Sequence, residues 1–407
     1  MSSRRPSNQL GEWSEVSTQT VDEFLASHSV DPVRGFLPSA DPLERLPAGF
    51  ECWEELAADL PKVVCAGRIH SAIAALPELS PTDLADGPEL DRAMLLLSYF
   101  GHTYVFGDDE PRSTIPANLA RPWYQVAARL GRPPVLSYAS HSLVNWRRFD
   151  RGLPIELGNI ARLENIVGGM DDDWFVLVHV AIESAAGAGV AAAVQAQDAA
   201  EHDDLEGLAK HLDALGDVME RMLGTLRRMP EHCDPYIYYN RVRRYIFGWL
   251  DNPALPNGVL YEGVKEYADR PQKFRGETGA QSSVIPAFDA VLGLDYSGDV
   301  LGKHMVELRA YMPPRHRVFV EALEERFSVR DYVARNADHK ILVAAYNRDV
   351  QLTGDFRRQH LEYAGTYIRG QVQTSGANPV QVGTGGTPFM KYLSQHVLDT
   401  DRYLIEK

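Results

Sequence analysis

The stretch from Trp174 to Val194 constrains the fold more than any other part of this sequence. A run so long and apolar has two destinations, a lipid bilayer or the middle of a helical protein. His179 and Glu183 lie inside it, and ionisable groups are costly in lipid. Gly187 and Gly189 weaken it as a free-standing helix, while the small residues Ala185, Ala186, Gly187, Ala188 and Gly189 let a bulky neighbour approach closely. The stretch therefore reads as a buried central helix, and a chain organised around it is mainly α.

The flanking patterns agree. Leu205, Leu208, Leu212, Leu215, Met219, Met222, Leu223 and Leu226 form one apolar face across Asp203–Met229. Leu90–Phe106 predicts another apolar helix, and further helices are expected over Tyr236–Leu250, Pro286–Leu294, Gly302–Tyr311, His316–Phe327 and from His339 to about Arg369. Strand-like alternation is scarce. With 407 residues the chain is long enough for about two domains. Residues 1–20 are polar and loose, residues 21–132 alternate short helices with Pro/Gly punctuation, and Gly131-Arg132-Pro133-Pro134 marks a boundary. Residues 133–407 form the larger helical unit, with a flexible Gly/Thr loop at about 371–387 and Thr387-Pro388 as the start of a last helix.

A net charge of −15 argues against a nucleic-acid or anionic-membrane partner, since phosphate repels such a surface. Cys52, Cys65 and Cys233 show neither a disulfide framework nor CxxC zinc spacing. Met1 to Asn8 carries no apolar signal core, so a cytoplasmic location is expected.

Four features can carry chemistry. His360 shares its helical stripe with Phe356, Tyr363, Ala364 and Tyr367, as a satisfied core histidine or as a ligand. His179 and Glu183 are four apart: a buried hydrogen-bonded pair or, with His141 or His360, a non-haem iron site. Arg243 lies among Tyr236, Tyr238, Tyr239 and Tyr245, where it can grip a carboxylate bidentately, stack on an aromatic or point outward. Gly383-Thr384-Gly385-Gly386-Thr387 lacks the Lys-Ser/Thr of a phosphate-binding loop, leaving a mobile lid or a plain linker.

Several ordered motifs together resemble the indoleamine 2,3-dioxygenase family, haem enzymes that open the pyrrole ring of tryptophan with O2. They are Arg132-Pro133-Pro134-Val135-Leu136-Ser137-Tyr138-Ala139 with Asn145-Trp146, Gly258–Gly263, Ala280-Gln281-Ser282-Ser283-Val284 with Phe288-Asp289, Arg309–Pro314 with His316-Arg317, the His360 helix and the Gly383–Thr387 loop. The likeness runs from about Leu95 to Leu393 and is loose over the first hundred residues.

The resemblance implies a two-domain helical fold, a small N-terminal domain capping a large domain that holds haem b. It makes His360 the proximal iron ligand, Arg357 a propionate contact and Asp289 its acidic partner. Arg243 becomes the holder of the substrate carboxylate. Thr384 closes over the amino-acid end, and Tyr238, Phe175 and Tyr138 are pocket aromatics. Gly279 lies in the turn over the haem. The chain departs from the family where Ser is usual on the distal helix and His179 stands instead. His141 replaces a small or thiol residue beside the indole, and Ser142 follows it. In the related tryptophan 2,3-dioxygenases a distal histidine accepts the indole N–H, and His179 is similar in role, orienting the substrate or taking its proton.

The implied reaction inserts O2 across the indole C2–C3 bond of L-tryptophan or a related indoleamine, giving N-formylkynurenine. It needs an electron donor to reduce ferric haem, in a monomer or weak homo-oligomer. The alternatives are a haem-dependent aromatic monooxygenase or peroxygenase acting on a modified indole or another aromatic amino acid, and a haem-binding sensor or catalytically silent relative.

Overall fold

The computed structural model describes residues 20–406 except 297, 299, 374, 375, 377 and 386–388. The expected loose segment (apart from Thr20) and the Thr387-Pro388 helix start therefore lie outside the described residues. What is described is mainly α. Helices α1 (Val21–Ser27), α2 (Glu51–Cys65), α3 (Ile69–Ala75), α4 (Pro88–Phe106) and α5 (Ala117–Leu130) precede the Gly131 turn. They are followed by α6 (Met170–Glu201), α7 (Leu205–Leu226), α8 (Pro235–Ile237), α9 (Arg243–Ile246), α10 (Val284–Leu292) and α11 (Val300–Leu308). The chain closes with α12 (Pro314–Glu325), α13 (Val329–Arg335), α14 (Lys340–Ala364) and α15 (Phe389–Thr400). Strand is confined, among the described residues, to Thr114–Ile115 beside Leu260–Tyr261 and Arg147–Arg148 beside Ile160–Ala161.

The apolar run is α6. By length and composition it could cross a membrane, yet most of it is buried against α7, α10 and other elements of the protein. Its small residues do what their size allows. A Cβ on Gly187 would stand 2.0 Å from the carbonyl oxygen of Val33. The turn that presses there is closed by reciprocal hydrogen bonds between Asp31 and Gly35, at 2.9 and 2.8 Å. Helix α7 is started by Asp204, whose carboxylate accepts the Gly207 N–H at 2.9 Å, and α14 by His339, whose ring accepts the Leu342 N–H at 3.3 Å. Helices α6 and α14 both pack on α7, and the apolar faces of the three account for much of the core.

One expected helix is shorter than its pattern. Asp234 caps it, accepting the Tyr236 and Ile237 N–H groups. The helix then loosens into a π turn over Tyr238–Val242 and stops at Ile246 instead of Leu250. The cause is tertiary. Trp249 and Leu250 donate their N–H groups to the Phe274 carbonyl at 2.9 and 2.8 Å, which draws this segment out of helix. Gly248 and Gly276 meet back to back, and a Cβ on Gly276 would lie 2.2 Å from the Gly248 nitrogen. Helix α14 likewise continues as a π turn over Gly365–Arg369, reaching the end its periodicity predicts. The helices expected near residues 286–327 appear as α10, α11 and α12, each displaced slightly toward the N-terminus, whereas α13 had no anticipated counterpart.

Candidate active site

A cavity of about 300 Å³ lies between α6, α7, α14 and the turn before α10. The stripe seen in the sequence forms one wall, with Phe356, His360, Tyr363, Ala364 and Tyr367 all facing it. Tyr138, Phe175, His179, Tyr238, Gly279, Thr384 and Arg357 also line it, so the structure gathers most of the sequence-derived candidates around one space. His141, Arg243 and Asp289 stand behind this lining.

The histidines differ in how their nitrogens are used. His102 is a satisfied core histidine: Nδ1 donates to the Tyr245 carbonyl at 2.8 Å and Nε2 accepts the Leu136 N–H at 2.9 Å. His360 is the opposite. It lies deep in the fold, yet its side chain presents accessible surface, and that surface borders the cavity. No hydrogen bond reaches its ring among the described residues. Burial, with His179 adding to it, holds its pKa down to about 4, so the ring is a neutral donor of lone pairs at neutral pH.

His179, on α6, lines the same cavity. Its Nδ1 is 2.7 Å from the Phe175 carbonyl oxygen, and a carbonyl can only accept, so Nδ1 carries the proton. Burial lowers the pKa of the ring, which is therefore neutral, and Nε2 is left as an unprotonated acceptor on the side of Gly279.

The same reasoning assigns His141. The hydroxyl of Tyr99 accepts from Asn145 at 2.8 Å and from Arg162 at 2.6 Å, so its own proton goes to Nδ1 of His141, 3.0 Å away. Nε2–H of His141 is then a buried donor without a partner among the described residues. His179 thus offers an acceptor and His141 a donor.

Glu183 does not pair with His179. One of its oxygens accepts the Tyr138 hydroxyl at 2.9 Å and the Ser282 hydroxyl at 2.6 Å. Burial pushes the acid up to about 7. Among the described residues no three His, Cys, Asp or Glu side chains gather closely enough to hold a metal ion. Both the buried His–Glu pair and the non-haem iron triad are therefore corrected: the two side chains, one helical turn apart, turn to different partners.

Aromatic rings build the remaining wall. Tyr238 and Phe175 stack with centroids 4.7 Å apart, Phe175 meets His179 at 4.7 Å, and Tyr367 meets Tyr238 edge-on at 5.8 Å. Arg357 donates to Asp289 at 2.6 Å, to the Tyr296 hydroxyl at 2.6 Å and to Thr400 at 2.8 Å, which ties α14 to α10 and α15. Desolvation pushes Asp289 up to about 6 against the pull of Arg357.

Arg243 is buried with no carboxylate among its partners in the described residues. It donates to the Asn378 side chain, to the Val382 carbonyl and, at 3.1 Å, to the Pro379 carbonyl, between the rings of Tyr239 and Phe247. Burial lowers its pKa to about 10, which leaves it charged at neutral pH. The Thr384 carbonyl accepts from both Gly248 and Gly276 at 3.3 Å, so this end of the Gly/Thr loop is pinned over the cavity. Gly386 and Thr387 lie outside the described residues.

The profile of the indoleamine 2,3-dioxygenase family matches residues 24–402. The chain belongs to this family. Indoleamine 2,3-dioxygenase 1 of Rattus norvegicus is 36% identical over 396 residues, spanning 93% of this chain and 95% of its own length. The indoleamine 2,3-dioxygenase of Saccharomyces cerevisiae is 30% identical, covering 91% of both chains. Indoleamine 2,3-dioxygenase acdA of Aspergillus candidus is 31% identical over 91% of this chain and 95% of its own. The match begins well before Leu95, so the N-terminal residues belong to the family more closely than their motifs suggest.

As a member of the indoleamine 2,3-dioxygenase family, the chain is an oxidoreductase of the haem dioxygenase type. The chemistry of the lining suits that cofactor: an unbonded neutral imidazole and Arg357 border the cavity, and Ile182, Met222, Leu226 and Ile285 supply apolar wall. Sequence reasoning missed Glu277, His304 and His396, which also line the cavity. Gly276-Glu277-Thr278-Gly279 reads as a turn, and a turn residue gives no sign of facing inward.

Proposed function

We propose that the chain binds haem b and inserts O2 across the indole C2–C3 bond of L-tryptophan or a close indoleamine, giving N-formylkynurenine. The observation that carries this reading is the pair of neutral imidazoles, His360 on α14 and His179 on α6, lining one largely apolar cavity. In this reading His360 holds the iron, and Arg357, braced by Asp289, meets a propionate. The cofactor, when bound and reduced by an electron donor, supplies the activation of O2.

The chain's own residues do the rest. Tyr238 and Phe175, in contact with each other, form one aromatic wall against which the indole packs, with Tyr138 and Gly279 bounding the pocket. Nε2 of His179 accepts the indole N–H, which fixes the ring face and offers a place for its proton. Arg243 takes the substrate carboxylate in place of its acceptors on residues 378–382, and Thr384 closes over the amino-acid end. The buried Nε2–H of His141 also favours an indole with an oxygen substituent on its benzo ring. Residues 21–132, where α4 packs on α2, α3 and α5, cap the unit of residues 133–407. The enzyme acts in the cytoplasm as a monomer or weak homo-oligomer.

The test is to reduce the haem-loaded protein, supply L-tryptophan under air and identify the product by mass. N-formylkynurenine is expected. A Soret band with neither a tryptophan-induced spectral shift nor product would instead make the chain a sensor or a silent relative.

A further inference from the structure

Glu277 is the carboxyl of the cavity wall that nothing else in the fold explains. It is buried and lines the cavity, its Oε1 is sealed from solvent without a hydrogen-bond partner, and no ion pair or hydrogen bond reaches its carboxyl among the described residues. The other buried acids near the site are served: Glu183 by Tyr138 and Ser282, Asp289 by Arg357, Glu54 and Glu164 by Arg92. Burial alone pushes Glu277 up to about 8. A buried carboxyl without a partner is costly, and a side chain kept in that state inside a cavity points to an occupant that completes it.

The backbone shows what that occupant meets. The Glu277 N–H donates to the Ile246 carbonyl at 3.0 Å, and Ile246 ends the short helix that opens with Arg243. The preceding Gly276 N–H donates to the Thr384 carbonyl. Glu277 therefore stands between the Arg243 segment and the loop threonine. Arg243 and Glu277 both lie within electrostatic range of the Tyr238 hydroxyl, so a cation and an acid stand near one pocket aromatic. A zwitterion has the matching ends.

We infer that Glu277 receives the ammonium group of the amino-acid substrate, opposite Arg243 on the carboxylate, so that the site selects indoles bearing both charges. This rests on the amino-acid substrate proposed above and adds the residue that reads the amine. An ammonium supplies both the counter-charge and the hydrogen-bond donors that the carboxyl lacks.

The experiment compares the ferric holoenzyme with its Glu277→Gln and Glu277→Ser variants. Equilibrium binding of L-tryptophan, tryptamine and indole-3-propionate is followed by the Soret band and by calorimetry, with haem content as the check on folding. Both neutral variants are expected to weaken L-tryptophan and tryptamine by about tenfold or more, as for loss of a charge-assisted hydrogen bond. Indole-3-propionate, which lacks the amine, should bind as well as before or better. Equal losses for all three ligands, or no loss for the amines, overturn the assignment of Glu277. If the unmodified holoenzyme binds neither L-tryptophan nor tryptamine, the amino-acid reading falls and this inference with it.

Discussion

At the scale of single residues, the site turns on which nitrogen of each histidine is free. The Phe175 carbonyl forces the proton of His179 onto Nδ1 and leaves Nε2 to accept. His179→Ser should therefore keep haem but shrink the discrimination between L-tryptophan and its indole-N-methylated analogue, by about 1 kcal/mol in relative kcat/KM. Loss of haem in that variant would make His179 structural instead. Arg243→Ala should weaken L-tryptophan binding by about 1.5–3 kcal/mol while tryptamine, lacking the carboxylate, is little affected. Unchanged affinity for L-tryptophan would remove the carboxylate clamp. That His360 and Thr384 come together at one cavity was legible from residue type and motif. The tautomers of His179 and His141 were not, because each is set by a carbonyl or a tyrosine network that only the fold brings near.

At the scale of elements, periodicity gave the long helices and failed where contacts override it. The apolar stretch became α6, and of the small residues read as room for a neighbour Gly187 faces the turn at residues 31–35 while Gly189 faces Val218 and Phe288. Gly187→Ala would set a methyl 2.0 Å from the Val33 carbonyl oxygen, a separation that forces backbone to move. Overpacking of this kind costs about 1–3 kcal/mol, to be read as a lower urea midpoint with unchanged slope. A midpoint equal to that of the parent would show that the turn yields freely. The π turns at Tyr238–Val242 and Gly365–Arg369 left no trace in the apolar spacing. The early stop at Ile246 depends on Phe274, distant in sequence, which no local pattern reports.

At the scale of the whole molecule, burial of titratable groups around one cavity sets how stability responds to pH. Burial lowers His102 to about 3 and His304, His316 and His360 to about 4, from an ordinary 6.5. Below about pH 6.5 the unfolded chain binds protons that the folded chain refuses, so stability falls on acidification. Glu183 and Glu277 move the other way, to about 7 and about 8. Above about pH 6.5 the histidines are neutral in both states, and these acids keep protons when folded that the unfolded chain has lost. Stability of the haem-free protein should therefore peak near neutrality and fall toward about pH 8 by up to about 1.4 kcal/mol per pH unit for each proton involved. Glu277→Gln should flatten the alkaline limb and leave the acid limb in place. A limb of unchanged slope would mean that Glu277 is ionised in the fold.

The chemistry itself is read most directly by oxygen-isotope incorporation. Reduced holoenzyme turning over L-tryptophan under heavy-isotope O2 should give N-formylkynurenine that carries both labelled atoms. A product with only one labelled atom would contradict dioxygenation and make the chain a monooxygenase on this fold.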